Sequence, residues 1–142
     1  MTRRRVPIAW KRRMRQEAGA RCGYCLTSET LLGMPMEFEH LTPLAGGGQT
    51  VEENLWLSCR RCNEIKGSQT HGIDSTTGER VALFNPRRQN WNEHFRWNED
   101  GTQIVGLTAV GRATADALKL NRHVIVVARR LWVVAGWWPP SR

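Results

Sequence analysis

All the cysteines of this chain fall in two CxxC pairs, CGYC at residues 22–25 and CRRC at residues 59–62, separated by 33 residues. Four thiolates held in two short knuckles can close a tetrahedral shell around Zn²⁺. Two disulfides are not expected in a reducing cytoplasm, and a redox dithiol would leave the second, matching pair without a purpose. We therefore predict a structural zinc site formed by Cys22, Cys25, Cys59 and Cys62.

Three further residues near these pairs have side chains that suit phosphoryl chemistry. Glu39 and Asn63 offer hard oxygen ligands for a single Mg²⁺ or Mn²⁺ ion that keeps several waters. His40 has a side-chain pKa near neutral and can take a proton from water. Alternation along a strand would point Glu39 and His40 to opposite sides, so their joint action requires local twisting at the strand end. Taken alone, a histidine in a strand is more often packed or solvated than catalytic.

The elements that must position these residues follow from the sequence pattern. Residues 36–41 alternate apolar and polar side chains, which predicts a strand that ends before the glycine-rich loop at residues 46–48. Thr50 followed by Glu53 matches a capping box and predicts a helix that carries residues 54–57 towards the second pair. A further helix is predicted to begin near residue 63. A strand, a loop and a helix pinned by a metal make a compact ββα unit, whose two ends zinc would join.

The remaining chain shows weaker signals. Residues 7–19 predict a basic helix, and Asp100-Gly101 is typical of a hairpin turn between two short strands. Two more helices are predicted, from Thr108 and over residues 123–135, the second with an apolar face suited to packing or to a homodimer contact. Trp91 and Phe95 have the i, i+4 spacing of a packed pair.

The ordered motifs CGYC, EHLTPLAGGG, NLWLSC and CRRCNEIKG resemble the HNH endonuclease family over about residues 20–68. The resemblance implies an α+β fold with a ββα-metal (HNH/His-Me finger) core, stabilised by a structural zinc with four cysteine ligands. Flanking helices and a C-terminal hairpin and helix extension would surround that core. The implied activity is metal-dependent hydrolysis of DNA phosphodiester bonds, with 5′-phosphate and 3′-hydroxyl products.

The resemblance implies a role for each residue that matches the family's motifs. His40 would be the general base that activates water, while Glu39 and Asn63 would bind the catalytic Mg²⁺ or Mn²⁺. Asn54 would hold the loop in shape and help to orient the base. Lys66 would share a helical face with Asn63 and meet a phosphate or the developing negative charge. The family commonly has Asp or His at the position of Glu39, which leaves the preferred metal open.

The charge of the chain points to a polyanionic partner. There are 21 Lys and Arg residues against 13 Asp and Glu residues, a formal net charge of +8, which favours nucleic acid or an anionic membrane surface as the partner, with solubility alone as the alternative. Together with the resemblance to the HNH family, this charge leads us to expect double-stranded DNA and no membrane. The basic helix at residues 7–19 has two open interpretations, a solvated face and contact with the DNA backbone. His71 is read as structural or solvated, with substrate or metal contact as the alternative. The residues expected to contact nucleic acid are Arg60, Arg61, Lys66, Arg87 and Arg88.

The organisation expected from length is a single nuclease domain over residues 1–142, with a core at about 20–70 and an extension at 71–142 that packs on it. The N-terminal arginines are not followed by the apolar run of a signal peptide, so a cytoplasmic location is expected. The apolar run near the C-terminus contains Arg129 and Arg130 at its centre and is too short to span a bilayer.

Two alternatives to a free nuclease remain open from the sequence. One is a zinc module that binds nucleic acid without cutting it, which the intact set of Glu39, His40 and Asn63 argues against. The other is a nuclease subunit that cuts only within a larger nucleoprotein complex.

Overall fold

A computed structural model describes residues 5–140 of the chain. Over this range short helices and three two-stranded antiparallel sheets alternate, so the predicted α+β class is confirmed. The chain forms two compact units. The first takes the described residues up to Thr70 together with Asn85–Arg88, and the second takes His71–Phe84 and the chain from Gln89 onward. The single nuclease domain with a packed extension stays a prediction.

The first unit contains the predicted ββα arrangement. Its elements are α1 (Ile8–Glu17), α2 (Glu29–Leu32), β1 (Glu37–His40), β2 (Leu55–Ser58) and α3 (Arg60–Lys66). Strands β1 and β2 pair antiparallel, with Glu37 opposite Ser58 and His40 opposite Leu55. Helix α1 and strand β1 lie where the sequence predicted them. Met14 of α1 is fully buried, while the polar residues of that helix remain at the surface.

The helix predicted from Thr50 is wrong. The capping-box segment forms only a 3-10 turn over Glu52–Asn54, and the chain then enters strand β2. All four residues of β2 are buried, because one edge pairs with β1 and both faces are covered. A continuous apolar run that is buried on both faces stabilises a strand, and this tertiary burial outweighs the local helix signal.

The second unit contains two further hairpins and two longer helices. Its elements are β3 (His71–Ile73), β4 (Arg80–Ala82), α4 (Trp91–His94), β5 (Phe95–Trp97), β6 (Ile104–Gly106), α5 (Ala109–Ala117) and α6 (His123–Ala135). The hairpin predicted around Asp100-Gly101 and both predicted helices are confirmed. The hairpin of β3 and β4 was not predicted from the sequence. Trp91 and Phe95 pack as predicted, with ring centroids 5.1 Å apart.

Helix α6 buries a cation and exposes an apolar face. Arg129 is fully buried and donates hydrogen bonds to the carbonyl oxygens of Thr102 and Leu120. The four apolar residues that the sequence placed on one face are exposed: Val124, Val127, Leu131 and Val134. No helix among residues 5–140 is long and apolar enough to cross a bilayer.

The segment Asn85–Arg88 returns to the first unit and packs on the first CxxC pair. The Nε of Arg87 donates to the carbonyl oxygen of Leu55 at 3.0 Å, and its guanidinium lies 5.1 Å from the centre of the Trp56 ring. A Cβ atom on Gly23 would come within 2.5 Å of Trp56 Cδ1 and 2.6 Å of Pro86 Cβ. Only glycine therefore fits between these side chains.

Gly23→Ala is expected to destabilise the first unit by about 1–3 kcal/mol, because the added methyl group overlaps packed ring atoms. Urea denaturation followed by circular dichroism measures the change. Gly46→Ala is the matched control, since its new Cβ would meet only Pro43 side-chain atoms at 3.8 Å. Equal stability of the two variants would contradict the close packing at Gly23.

Candidate functional site

The four cysteines form one buried cluster, in agreement with the predicted metal site. Their sulfur atoms all lie within 4.8 Å of one another. The sulfurs of Cys25 and Cys59 are 3.8 Å apart, and a tetrahedral shell with zinc–sulfur bonds of about 2.3 Å requires about 3.8 Å between sulfurs. Burial raises the pKa of the Cys22 thiol well above its ordinary value, so a dication would offset a real cost of ionisation. The cluster therefore fits Zn²⁺.

The second CxxC pair forms the first turn of α3. Cys59 is the N-cap residue, and its sulfur accepts a hydrogen bond from the backbone nitrogen of Cys62 at 3.4 Å. The corresponding bond in the first pair runs from the backbone nitrogen of Tyr24 to the sulfur of Cys22. A metal at the four sulfurs would thus fix the start of the helix that carries Asn63 and Lys66.

Glu39 lies deep in the first unit, with a side chain only 1% exposed. Its Oε1 accepts a hydrogen bond from the hydroxyl of Tyr24, and its Oε2 lies 3.9 Å from Nζ of Lys66. Burial raises the pKa of Glu39 to about 7, although Lys66 and Tyr24 oppose this rise. Oε2 accepts no hydrogen bond among the described residues, and a buried carboxylate oxygen of this kind fits a bound cation.

His40 lies at the end of β1 and is 7% exposed. Its Nε2 is 2.9 Å from the hydroxyl oxygen of Thr50, which orients the imidazole ring. Thr50, which the sequence assigned to a helix cap, therefore contacts the histidine instead. Glu39 and His40 have different partners, as the alternation along a strand predicts.

Asn54 holds the loop between β1 and β2. Its Oδ1 accepts from the backbone nitrogen of Thr42 at 2.8 Å, and its Nδ2 donates to the carbonyl oxygens of Thr42 and Gln49. The backbone nitrogen of Leu41, the residue after His40, donates to the carbonyl oxygen of Asn54. These contacts agree with a role in shaping the loop beside the histidine.

One face of α3 lies against one face of β1. Asn63 and Lys66 are three residues apart on the helix, while Glu37 and Glu39 are two residues apart on the strand. Nδ2 of Asn63 donates to Oε1 of Glu37 at 2.7 Å, and Lys66 meets Glu39. The two candidate oxygen ligands, Glu39 and Asn63, thus lie on neighbouring elements but contact different side chains.

Lys66 is buried, whereas the predicted contact with a phosphate requires an exposed side chain. Its side chain is 4% exposed, and Nζ is 3.5 Å from the carbonyl oxygen of Leu41 as well as close to Glu39. The ammonium therefore balances the charge of a buried carboxylate. Its predicted contact with a phosphate would require movement of this side chain.

The arginines predicted to contact nucleic acid divide into two groups. Arg60, Arg61 and Arg88 are exposed, and the first two form surface ion pairs with Glu64 that a phosphate can replace at little cost. Arg87 is partly buried and held by Trp56 and the Leu55 carbonyl oxygen. Its role as described is to pack the segment Asn85–Arg88 against β2.

The basic helix α1 is partly neutralised. Arg13 forms a bidentate pair with Glu52, and Arg15 pairs with Glu29. The ammonium of Lys11 lies 5.6 Å from the centre of the Phe38 ring on β1. These contacts fix α1 to the ββα core, while the exposed Arg12 keeps the surface basic.

Sequence reasoning missed three residues that contact the predicted site: Tyr24, Glu37 and Thr50. Glu37 was detectable, because strand alternation places it on the same face as Glu39. Tyr24 and Thr50 are distant in sequence from the residues they contact, and no local pattern indicates those contacts.

Comparisons with known proteins match the same part of the chain that contains the candidate site. The family model described as HNH endonuclease matches residues 22–69. The chain is similar to the CRISPR-associated endonuclease Cas9 of Corynebacterium diphtheriae, with 35% identity over 87 residues that cover 58% of this chain. The match spans 8% of the length of that relative. No solved structure matches the chain significantly.

Removal of zinc by a strong chelator is expected to unfold the first unit, because four buried thiols would lose the charge that compensates their ionisation. Circular dichroism and thermal melting measure the loss of folded structure, and the zinc content is measured in parallel. Omission of Mg²⁺ alone should leave the fold unchanged, and re-addition of Zn²⁺ should restore it. A zinc-free protein that kept its melting transition would contradict a structural role for the metal.

Asn54→Ala is expected to lower stability by about 1–3 kcal/mol, since three hydrogen bonds of the loop are lost. If Asn54 acts by shaping the loop, the affinity for Mn²⁺ should remain that of the wild type. Thermal melting and Mn²⁺ titration measure the two effects separately. Asn92→Ala, at an exposed position of α4, is the control and should change neither. Weaker Mn²⁺ binding by Asn54→Ala would show that its role is not confined to the loop.

Proposed function

Because residues 22–69 form a domain of the HNH endonuclease family, we propose that this protein is a metal-dependent endonuclease that hydrolyses phosphodiester bonds of DNA. The observation that carries the proposal is the packing of β1 against α3, the helix that begins at the four-cysteine cluster. Glu39, His40 and Asn63 all lie on these two elements. The chemistry requires water, a base and a site for a cation, and the residue types His, Glu and Asn can supply the base and the cation ligands.

The base in this proposal is His40. Thr50 holds its ring, and Asn54 holds the loop that follows it. Once oriented, the imidazole accepts a proton from the water that attacks phosphorus. Thr50 and Asn54 would then act as positioning residues, because each contacts the histidine or its loop rather than the substrate.

The proposed ligands of the catalytic cation are Glu39 and Asn63. A bound Mg²⁺ or Mn²⁺ would supply stabilisation of negative charge on the phosphate oxygens and on the leaving 3′-oxygen. Tyr24 and Lys66 hold the Glu39 carboxylate between the cysteine cluster and α3. The chain has a formal net charge of +8, and its exposed Arg60, Arg61 and Arg88 would attract the DNA backbone.

A second candidate function is that of a nuclease subunit active only within a larger assembly. This candidate is favoured by the similarity to Cas9, because the match spans only 8% of the length of that much larger protein. In that case the isolated protein would retain the site and still bind DNA, but it would not cut a plain plasmid.

His40→Ala is expected to reduce cleavage of supercoiled plasmid in Mg²⁺ or Mn²⁺ by about 100-fold or more, because a general base is lost. Nicked circles should appear first, since one ββα unit carries one site. Gel electrophoresis at matched zinc content measures the rate. His123→Ala is the control, because that histidine is exposed at the start of α6.

Equal cutting by the wild type and His40→Ala would contradict the assignment of the base. Absence of cutting by the wild type, with DNA binding retained, would favour the partner-dependent subunit or a module that only binds.

A further inference from the structure

We infer that Glu37 is a positioning residue for Asn63, and that it acts by fixing which end of the Asn63 amide is offered to the catalytic cation. The inference deepens the proposed function and rests on it, because Asn63 is taken as a ligand of that cation. Glu37 is absent from the residues that sequence reasoning assigned to the site. Its role follows from one contact across the β1–α3 junction.

The contact is a hydrogen bond between a carboxylate and an amide. Nδ2 of Asn63 donates to Oε1 of Glu37 at 2.7 Å, and both residues are partly buried. An ionised carboxylate has acceptors and no donors, so it pairs with the amide nitrogen and repels the amide oxygen. A charge-assisted bond of this length is stronger than a bond between neutral groups.

The consequence concerns the other end of the amide. An asparagine side chain has two nearly isosteric orientations, which differ by exchange of Oδ1 and Nδ2. The carboxylate of Glu37 selects the orientation with Nδ2 towards β1. Oδ1, which is the atom able to bind a cation, then points away from Glu37. The amide is already held in this orientation before a cation binds.

The backbone makes this selection rigid. Glu37 is paired with Ser58 in the β1–β2 register, and Asn63 lies in the middle of α3, which begins at the cysteine cluster. The backbone nitrogen of Asn63 donates to the carbonyl oxygen of Cys59. Both partners of the hydrogen bond are therefore held by main-chain structure, which is what a supporting contact to a metal ligand requires.

Neighbouring residues provide a matched comparison. The other acidic residue of the same strand face, Glu39, meets Lys66 rather than an amide. Glu64 lies beside Asn63 on α3, but its carboxylate pairs with Arg60 and Arg61 at the surface. Removal of Glu64 thus removes a nearby negative charge without removing the contact to Asn63.

The test is a double-mutant cycle on Mn²⁺ affinity, measured by electron paramagnetic resonance of free Mn²⁺ with the zinc-loaded full chain. Asn63→Ala is expected to weaken binding, and Glu37→Ala is expected to weaken it by about tenfold, as for other outer partners of metal ligands. The double variant should bind Mn²⁺ no more weakly than Asn63→Ala alone. Glu64→Gln is the control and should bind as the wild type does.

Glu37→Gln distinguishes the effect of the Asn63 amide orientation from the effect of side-chain size at residue 37. The glutamine keeps the size of the side chain but can present either oxygen or nitrogen to Asn63, so weaker Mn²⁺ binding is expected. Thermal melting without Mn²⁺ checks that each variant remains folded. Wild-type affinity of Glu37→Gln or Glu37→Ala would overturn the inference.

The cycle also distinguishes a direct ligand from a positioning residue. If Glu37→Ala weakened Mn²⁺ binding equally with and without Asn63, Glu37 would act on the cation itself and the inference would be overturned. Unchanged affinity of Asn63→Ala would overturn it as well. If the expected coupling were found but the wild type did not cleave plasmid, the proposed function would fail while the inference stood.

Discussion

The cluster of four buried thiols is the constraint on which the site depends. Its members come from two segments separated by 33 residues, and their sulfurs converge to within 4.8 Å. The first pair contains Tyr24, which contacts Glu39, and the second pair begins α3. A metal at the cluster would therefore align the strand and the helix, in addition to the apolar burial of this small unit.

The ββα unit buries several polar groups that each need a specific partner. Glu39 is enclosed with Lys66 and Tyr24, and His40 with Thr50. Burial of a carboxylate is costly, and it raises the pKa of Glu39 to about 7. A buried carboxylate of this kind, next to His40 in the strand, supports the proposal of a functional site in the first unit.

The second unit differs in how it is stabilised. It has no cysteine, and its interior contains an aromatic cluster that includes Trp91, Phe95 and Trp97, with Arg129 buried against backbone carbonyl oxygens. Asp74 and Arg112 form a bidentate ion pair that holds the pKa of Asp74 well below its ordinary value. These contacts are structural, and none of them involves a residue of the proposed nuclease site.

The sequence alone indicated the candidate residues of the site and determined much of the fold. The paired cysteines, the Glu39-His40 strand and the Asn63 helix were all predictable, because metal-ligand spacing and strand alternation are local properties of the chain. The same holds for α1, α6 and the hairpin at Asp100-Gly101. Only tertiary structure decided that the segment after Thr50 is a buried strand, since pairing with β1 outweighed a local capping signal. Only tertiary structure placed Lys66 beside Glu39 and Glu37 beside Asn63, because those contacts join residues 26 or more positions apart, and sequence patterns report neighbours along the chain rather than across it.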